Sequence, residues 1–598
     1  MGQIDLENQY KKLVGLLKDE LNPQGFWSGK LSSSALGTAV AIVALKINGD
    51  DSDHLLIVNG LDWLIKNQNP DGGFGDTPQS KSNVSTSLLS YAAIRYCKDL
   101  NVDSGYSLSN IEKYLLSQKI DLNKKDITTA VIGYYGSDYT FSVPILSMLI
   151  ICGVLYPEVS HKIPQLPFEF TLLPAKWYSL FNLRVVSYAI PALIGVGIFI
   201  FKTRKHHNPV MKWLRNKSIA PAMRKLESIM PESGGFLEAI PLTAFVAMCL
   251  ISCGLGKNAV AEKGISFLRN QQREDGSWPI DTDLSTWVTS LSVKALGPQM
   301  MNEFSKQEIS NLLTHFNLFQ YKSIHPFNLA EPGGWGWTNF SGSVPDVDDT
   351  SGAILALLDL YRPGDTDTVT AIVNGCCWLT TLQNKDGGFP TFCKGWGRLP
   401  FDSSCADLTG HALFALAKSL DVLAEIIPGD LRIALTNCIA RAFGFLWKVQ
   451  NDNGSWNPLW FGNQFTSDNK NPVYGTAKVS IYLNDSLLCK CLDDTMKRNI
   501  GQMLDKATNY LIAQQNEDGS WGGEIGMNGT IEETSLSIAA LTGKDRLVCL
   551  DGFNWLQNEF DQNGLRSNPI GLYFAMLWYD EKLYPLIYYI EALRRFLY

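Results

Sequence analysis

The sequence predicts an all-α protein of two α/α toroids, and three observations over its 598 residues carry that prediction. A short unit, aromatic-Leu-xxx-Gln-xxx-Gly-x-aromatic, recurs along the chain. One or two amphipathic helical stretches lie between consecutive copies. No apolar/polar alternation of useful length marks a strand.

The copies are Trp63-Leu64…Gln68…Gly72-Gly73-Phe74, Phe267-Leu268…Gln272…Gly276-Ser277-Trp278 and Trp378-Leu379…Gln383…Gly387-Gly388-Phe389. Two more are Phe445-Leu446…Gln450…Gly454-Ser455-Trp456 and Tyr510-Leu511…Gln515…Gly519-Ser520-Trp521. Degenerate copies lie at Gly25-Phe26-Trp27 and Trp555-Leu556…Phe560…Gly564. In each unit the aromatic-Leu pair ends a helix, Asp-Gly or Asn-Gly turns the chain, and the last aromatic packs back. The Gln is suited to bond backbone groups left free at the helix end. Stretches such as Leu408–Leu420 and Glu533–Leu541 supply the intervening helices. Helix pairs repeated about every 65 residues build a toroid whose inner helices enclose a central cavity. The last three copies follow closely, whereas the first and second are far apart. This spacing predicts a second toroid inserted over residues 30–283, with 1–29 returning to join 284–598.

Composition narrows the function. The chain is 45% hydrophobic and 18% charged, against roughly 25% charged in an average soluble chain. Its net charge of −8 argues against nucleic acid as the main partner. The cysteines sit mostly in apolar runs without a CxxC pair, which reads as buried free thiols in a reducing compartment. Neither they nor the seven histidines suggest a metal site, and no secretory leader is recognisable.

The most apolar stretches are Phe141–Leu155 and Val185–Phe201, the latter at the short edge for a spanning helix and interrupted by Pro191, Gly195 and Gly197. A basic segment follows, from Lys202 to Lys225. One reading is two buried core helices and a solvated linker. The other is an apolar plateau dipping into one leaflet, its basic rim meeting anionic head groups, monotopic and not spanning.

The chemistry concentrates at Pro345-Asp346-Val347-Asp348-Asp349-Thr350. The following apolar run predicts a helix starting at Asp349 or Thr350, its positive end facing the carboxylates. Three crowded carboxyl groups cannot all ionise cheaply, so at least one holds a proton near neutral pH. Asp407 and His411 are spaced i,i+4, so Asp407 can hold the imidazole as a cation.

With the repeat and this cluster together, the sequence resembles the class II terpene cyclases, and within them the squalene-hopene cyclase family. The five full copies resemble its QW motifs, and Asp346-Val347-Asp348-Asp349 resembles its DxDD motif. The resemblance implies that Asp348 protonates an alkene, supported by Asp346 and Asp349, with His411 as the partner of the acid and Asp407 behind it. It implies that aromatic faces then stabilise the carbocation, each contact being worth roughly 0.5–2 kcal/mol. The candidates are Trp287, Trp335, Trp337, Tyr474 and Tyr188. It further implies a linear polyprenoid substrate, no cofactor or metal, monotopic attachment on the cytoplasmic side of the cell membrane, and compatibility with a homodimer. The oxidosqualene branch has one carboxylate followed by Cys, so alkene activation is expected and not epoxide opening. Departures from the family pattern fall at Asn463–Pro472, at Ile570-Gly571-Leu572-Tyr573-Phe574 and at Trp335 and Trp337. They leave squalene, tetraprenyl-β-curcumene, a prenylated aromatic and a prenyl diphosphate open as substrates. Two rivals remain: a protein prenyltransferase, which would need an Asp/Cys/His zinc site, and a non-catalytic toroid scaffold, which leaves the acid cluster unexplained.

Overall fold

A computed structural model describes residues 5–598 apart from 101, 103, 123–126, 136–138, 174–189, 393–399 and 573–575. The chain opens with α1 (Leu6–Asp19). It continues through α2 (Ala35–Asn48), α3 (His54–Lys66), α4 (Val84–Tyr96), α5 (Gly105–Ser117), α6 (Thr128–Tyr135) and α7 (Tyr139–Ile151). Then come α8 (Ile190–Thr203), α9 (Pro209–Ser228), α10 (Ile240–Ser252) and α11 (Ala259–Asn270). Helices α2, α4, α7, α8 and α10 each pack on the next, and α10 returns to α2, closing an inner ring.

A second ring follows the same plan. Its members in chain order are α12 (Ser285–Leu296), α13 (Lys306–Phe319), α14 (Val347–Leu360), α15 (Thr366–Leu382), α16 (Ala406–Val422) and α17 (Gly429–Val449). The rest are α18 (Pro472–Ser486), α19 (Asp494–Ala513), α20 (Ile531–Leu541), α21 (Arg546–Asn563) and α22 (Tyr584–Leu597). The even-numbered helices form the inner ring, α22 closing on α12, and α1 packs outside α22. Burial separates the layers. Every residue of α20 is buried, whereas α19 buries Ile500, Met503, Leu504, Ala507, Tyr510 and Leu511, one stripe of an amphipathic helix.

The repeat unit stitches the layers together. Each closing aromatic donates its backbone N–H to a hydroxyl on an inner helix: Phe74 to Ser87, Trp278 to Thr38, Phe389 to Thr409, Trp456 to Thr476 and Trp521 to Thr534, all at 2.9–3.0 Å. The indole N–H then reaches a carbonyl at the end of the preceding outer helix, as Trp521 reaches Leu511 at 2.7 Å. The Gln acts differently from expectation. Backbone N–H groups already serve the end of α19, so Gln515 spends its amide on Gly519 of its own turn (2.9 Å) and Val548 of α21 (3.0 Å). Gln383 likewise joins Gly387 to Cys438 of α17. The turn glycine must pass close to that neighbour: Gly276 has φ +89°, and a Cβ there would lie 2.6 Å from the Asn59 carbonyl oxygen.

The structure contains a copy that the spacing hid. Gln320 bonds Gly333 and Ala371 at 2.8 Å, but thirteen residues separate Gln from Gly where the other copies have four. Trp335 closes this copy, its indole on Phe316 (2.7 Å) and its N–H on Thr350 (3.0 Å). Phe236 makes the same bond to Thr243.

Short antiparallel strands decorate the rims. β1 (Ser33–Ser34) pairs with β2 (Trp278–Pro279), and β3 (Gly462–Asn463), β4 (Ile570–Leu572) and β5 (Leu577–Tyr579) form a three-stranded sheet. The rims of the two rings meet here. The Trp578 N–H donates to Asp76 (2.8 Å), that of Lys81 to Gln464 (3.0 Å) and that of Gly342 to Glu238 (2.7 Å). An apolar cluster crosses the seam, with Phe236 and Ile198 from one side and Phe327, Val344 and Phe392 from the other.

The described parts of the two apolar runs fall mostly inside. Residues 190–201 of α8 are all buried and α7 is a second inner stave, because closing the ring leaves these helices no outward face. The apolar residues that face outward nearby include Val210, Trp213 and Leu214 on α9, with Phe170 and Leu172 in the turn packed against it. No helix among the described residues is long and apolar enough to cross a membrane.

Gln320→Ala removes two hydrogen bonds to buried carbonyls. It is expected to destabilise folding by about 1–3 kcal/mol, read as a lower denaturation midpoint, while specific activity at permissive temperature stays within twofold.

Candidate active site

The acidic cluster is built from the backbone outward. Asp346 is extended (φ −134°, ψ 169°) and bridges to Trp335, its N–H donating to the Trp335 carbonyl at 3.0 Å. Its carboxylate accepts from the Asp349 N–H at 2.9 Å, so Asp346 is the N-cap and α14 starts at Val347. This is two to three residues earlier than the sequence predicts, since the β-bridge and not the apolar run sets the start. One turn later the Thr350 hydroxyl takes the Trp335 N–H. The acid loop and a repeat copy are therefore one piece of structure.

The three carboxyl groups are unequal. Asp346 and Asp349 are buried, whereas Asp348 keeps 18% of its side chain accessible. Burial pushes Asp346 up to about 7, and burial with the neighbouring Asp346 pushes Asp349 well above the usual carboxylate range. The cluster thus retains a proton at neutral pH. Asp348 Oδ1 lies 2.6 Å from His411 Nδ1.

His411 departs from expectation. Its ring stacks on Tyr482 at 4.4 Å and 11° and meets Trp287 edge-on at 6.1 Å. Nε2 has no partner. Burial pushes the imidazole down to about 4 despite the Asp348 contact, so the ring is neutral near pH 7. Asp407 does not hold it. One Asp407 oxygen accepts from the Cys405 thiol, and the other has no partner. An i,i+4 spacing puts both on one helix face, but packing against Tyr482 and Asp348 turns the ring away from Asp407.

The other expected residues divide. Trp287 lies beside His411 and donates its indole N–H to the Tyr584 hydroxyl at 3.0 Å. Tyr474 is buried, 3.2 Å from the Tyr588 hydroxyl and 4.8 Å from the Phe461 ring. Trp337 sits at the seam between the rings, 6.1 Å from Phe392, and its carbonyl caps Thr286 and Trp287. Trp335 is fully buried and belongs to the repeat, which corrects its assignment to the cavity wall. Tyr188 lies outside the described residues.

Several neighbours went unread in the sequence: Tyr482, Lys478, Tyr584 and Tyr588. The signal was present as Tyr474-xxx-Lys478-xxx-Tyr482 and Tyr584-xxx-Tyr588, one lumen-facing stripe on each of two inner helices. Trp287, Asp348, Asp407, Tyr474 and Tyr584 all lie in first turns of inner helices. The inner helices therefore run parallel, with their positive ends converging at the acid. The opposite end is closed by ion pairs: Lys294–Glu591 at 3.0 Å, Arg595–Asp485 at 2.6 Å and Lys418–Asp359.

A model of the squalene-hopene cyclase C-terminal domain matches residues 1–93 and 324–545. A probable squalene–hopene cyclase of Sinorhizobium fredii is 23% identical, over 90% of this chain and 88% of that one. The sporulenol synthase of Bacillus subtilis is 27% identical, over 75% of each. The structure of ent-copalyl diphosphate synthase from Streptomyces platensis superposes with a TM-score of 0.58 at 16% identity, over 98% of this chain and 99% of that one. That likeness is of fold alone.

Burial lifts the Asp407 carboxyl to about 6, so the folded protein holds this proton more tightly than the unfolded chain. The stabilisation is complete below the unfolded value near 4 and is lost as pH rises through 6. Asp407→Asn is accordingly expected to be more stable than the wild type at pH 8 by about 2 kcal/mol, with no advantage at pH 4, as read by denaturant unfolding at both values.

Proposed function

The chain belongs to the squalene-hopene cyclase family of class II terpene cyclases, and on that premise we propose that Asp348 protonates the terminal alkene of a long linear polyprenoid, squalene in the first instance, to give a hopene-type polycycle. What carries this reading is a single observation: Asp348 is the one carboxyl of the cluster that is both partly accessible and in contact with His411. An isolated alkene is a very poor base and needs a carboxylic acid held against it away from bulk water. Asp346 and Asp349 keep a proton in the cluster. The O–H bond of Asp348 breaks and its electron pair stays on the carboxylate, while the π bond of the terminal alkene breaks and its pair forms a C–H bond to the proton, leaving the other alkene carbon cationic. The positive charge left on the substrate meets aromatic faces at Trp287 and, toward the seam, at Trp337.

Membrane attachment belongs to the same reading. Val210, Trp213 and Leu214 stand exposed at the start of α9, interleaved with exposed Lys212 and Lys217. An apolar ridge flanked by ammonium groups suits one leaflet of an anionic cytoplasmic membrane surface, where a polyprenoid substrate is dissolved.

The enzyme is tested with squalene, tetraprenyl-β-curcumene, a prenylated phenol and geranylgeranyl diphosphate in turn, with products read by mass spectrometry. Asp348→Asn is expected to lower turnover of the accepted substrate at least 1000-fold (about 4 kcal/mol) without changing the far-UV spectrum. Retained activity overturns the assignment. Trp213→Ser is expected to cut co-sedimentation with vesicles containing phosphatidylglycerol several-fold, and unchanged binding removes α9 from the membrane contact.

A further inference from the structure

Against the rings that flank His411 lies a lysine that the proposed reaction does not use. Lys478 sits on α18 one turn below Tyr474, is 2% exposed, and its ammonium nitrogen has no hydrogen-bond partner. Three aromatic rings box it in: Tyr482 at 5.3 Å, Tyr588 at 5.5 Å and Trp287 at 5.7 Å. Tyr482 and Trp287 are also the rings that flank His411. A buried ammonium without a partner costs folding energy, so stability gives no reason for this residue. The nearby carboxylate is already spoken for, since Glu591 pairs with Lys294 and Arg595, both at 3.0 Å.

Resting on the assignment of Asp348 as the acid, we propose that Lys478 is the positive charge behind it, a positioning residue that stabilises the Asp348 carboxylate formed as the proton leaves. His411, neutral and stacked, is hydrogen-bonded to Asp348 and shares the Tyr482 and Trp287 rings with Lys478. The charged groups that bear on Lys478 are Lys294 on α12, Asp348 on α14, Asp407 on α16 and Glu591 on α22. On α20 the titratable pair is engaged elsewhere, Glu532 by the Asn568 N–H and Glu533 by Asn463 and Asn471. Burial and Lys294 bring Lys478 down to about 8, which puts loss of this charge inside the range where the enzyme is assayed.

The test is the pH profile of kcat with squalene, or with whichever polyprenoid of the panel above the wild type accepts, from pH 6 to pH 10. Wild-type kcat is expected to fall as pH rises through about 8. Lys478→Met, which fills the site without charge, is expected to be at least tenfold slower at pH 7 and to lack that step. Lys478→Arg, which cannot deprotonate in this range, is expected to keep at least a third of wild-type kcat at pH 7 and show no fall near 8. A wild-type profile without a step between pH 7 and pH 9 overturns the proposal whatever the variants do. A Lys478→Met enzyme with the wild-type step or near-wild-type kcat overturns it as well. Asp348→Asn run alongside separates the two levels of the argument. If it is inactive while Lys478→Met behaves as wild type, this proposal alone fails; if it turns over normally, the acid assignment fails and takes this proposal with it.

Discussion

The bond between a closing aromatic and a hydroxyl on an inner helix is the constraint on which the molecule depends. Inner and outer helices are joined by turns that would otherwise leave polar backbone groups unpaired inside a dry wall. The hydroxyl, the indole N–H and the Gln amide satisfy those groups one unit at a time, and each unit also ties an outer helix to the next. At Trp335 the same device fixes the chemistry. Its N–H is held by Thr350, and its carbonyl holds the N–H of Asp346. The N-cap, and with it the position of Asp348 on the first turn of α14, follows from a structural repeat.

That dependence explains how much was legible in the sequence. Five copies kept Gln and Gly four residues apart, and the helical periodicity between them pointed to toroids. The sixth placed thirteen residues in that interval, so Trp335 read as a cavity aromatic. Asp346, Asp348 and Asp349 stood out because three carboxylates fall within four residues beside such repeats. The pairing of His411 was not readable from spacing. Residues at i and i+4 share a face, but which partner the ring meets depends on side chains from other helices, here Asp348 and Tyr482. Lys478 was hidden by the same limit, since one lysine in an apolar helix looks like any other until the rings around it are known.

The lumen of the catalytic ring is layered by charge. Carboxyl groups lie at the first turns of the inner helices, where peptide dipoles favour negative charge. His411 and Lys478 follow between one and two turns in, with Tyr482 a turn beyond Lys478, then Lys294, and last the paired Glu591, Arg595 and Asp485. Burial acts on every layer, raising the carboxyl groups of the first and lowering Lys478 toward neutrality.

The seam between the two rings has a further consequence. Both rings present turns and short strands to it, while the staves stand behind. Segments such as 463–471 and the strands β4 and β5 therefore lie at the seam outside the repeat units. Insertions there leave the repeat bonds untouched, whereas the acid is anchored in a repeat and has no such latitude. The acidic cluster and the seam segments thus belong to separate parts of the polypeptide, the first held in place by a repeat bond and the second outside the repeat.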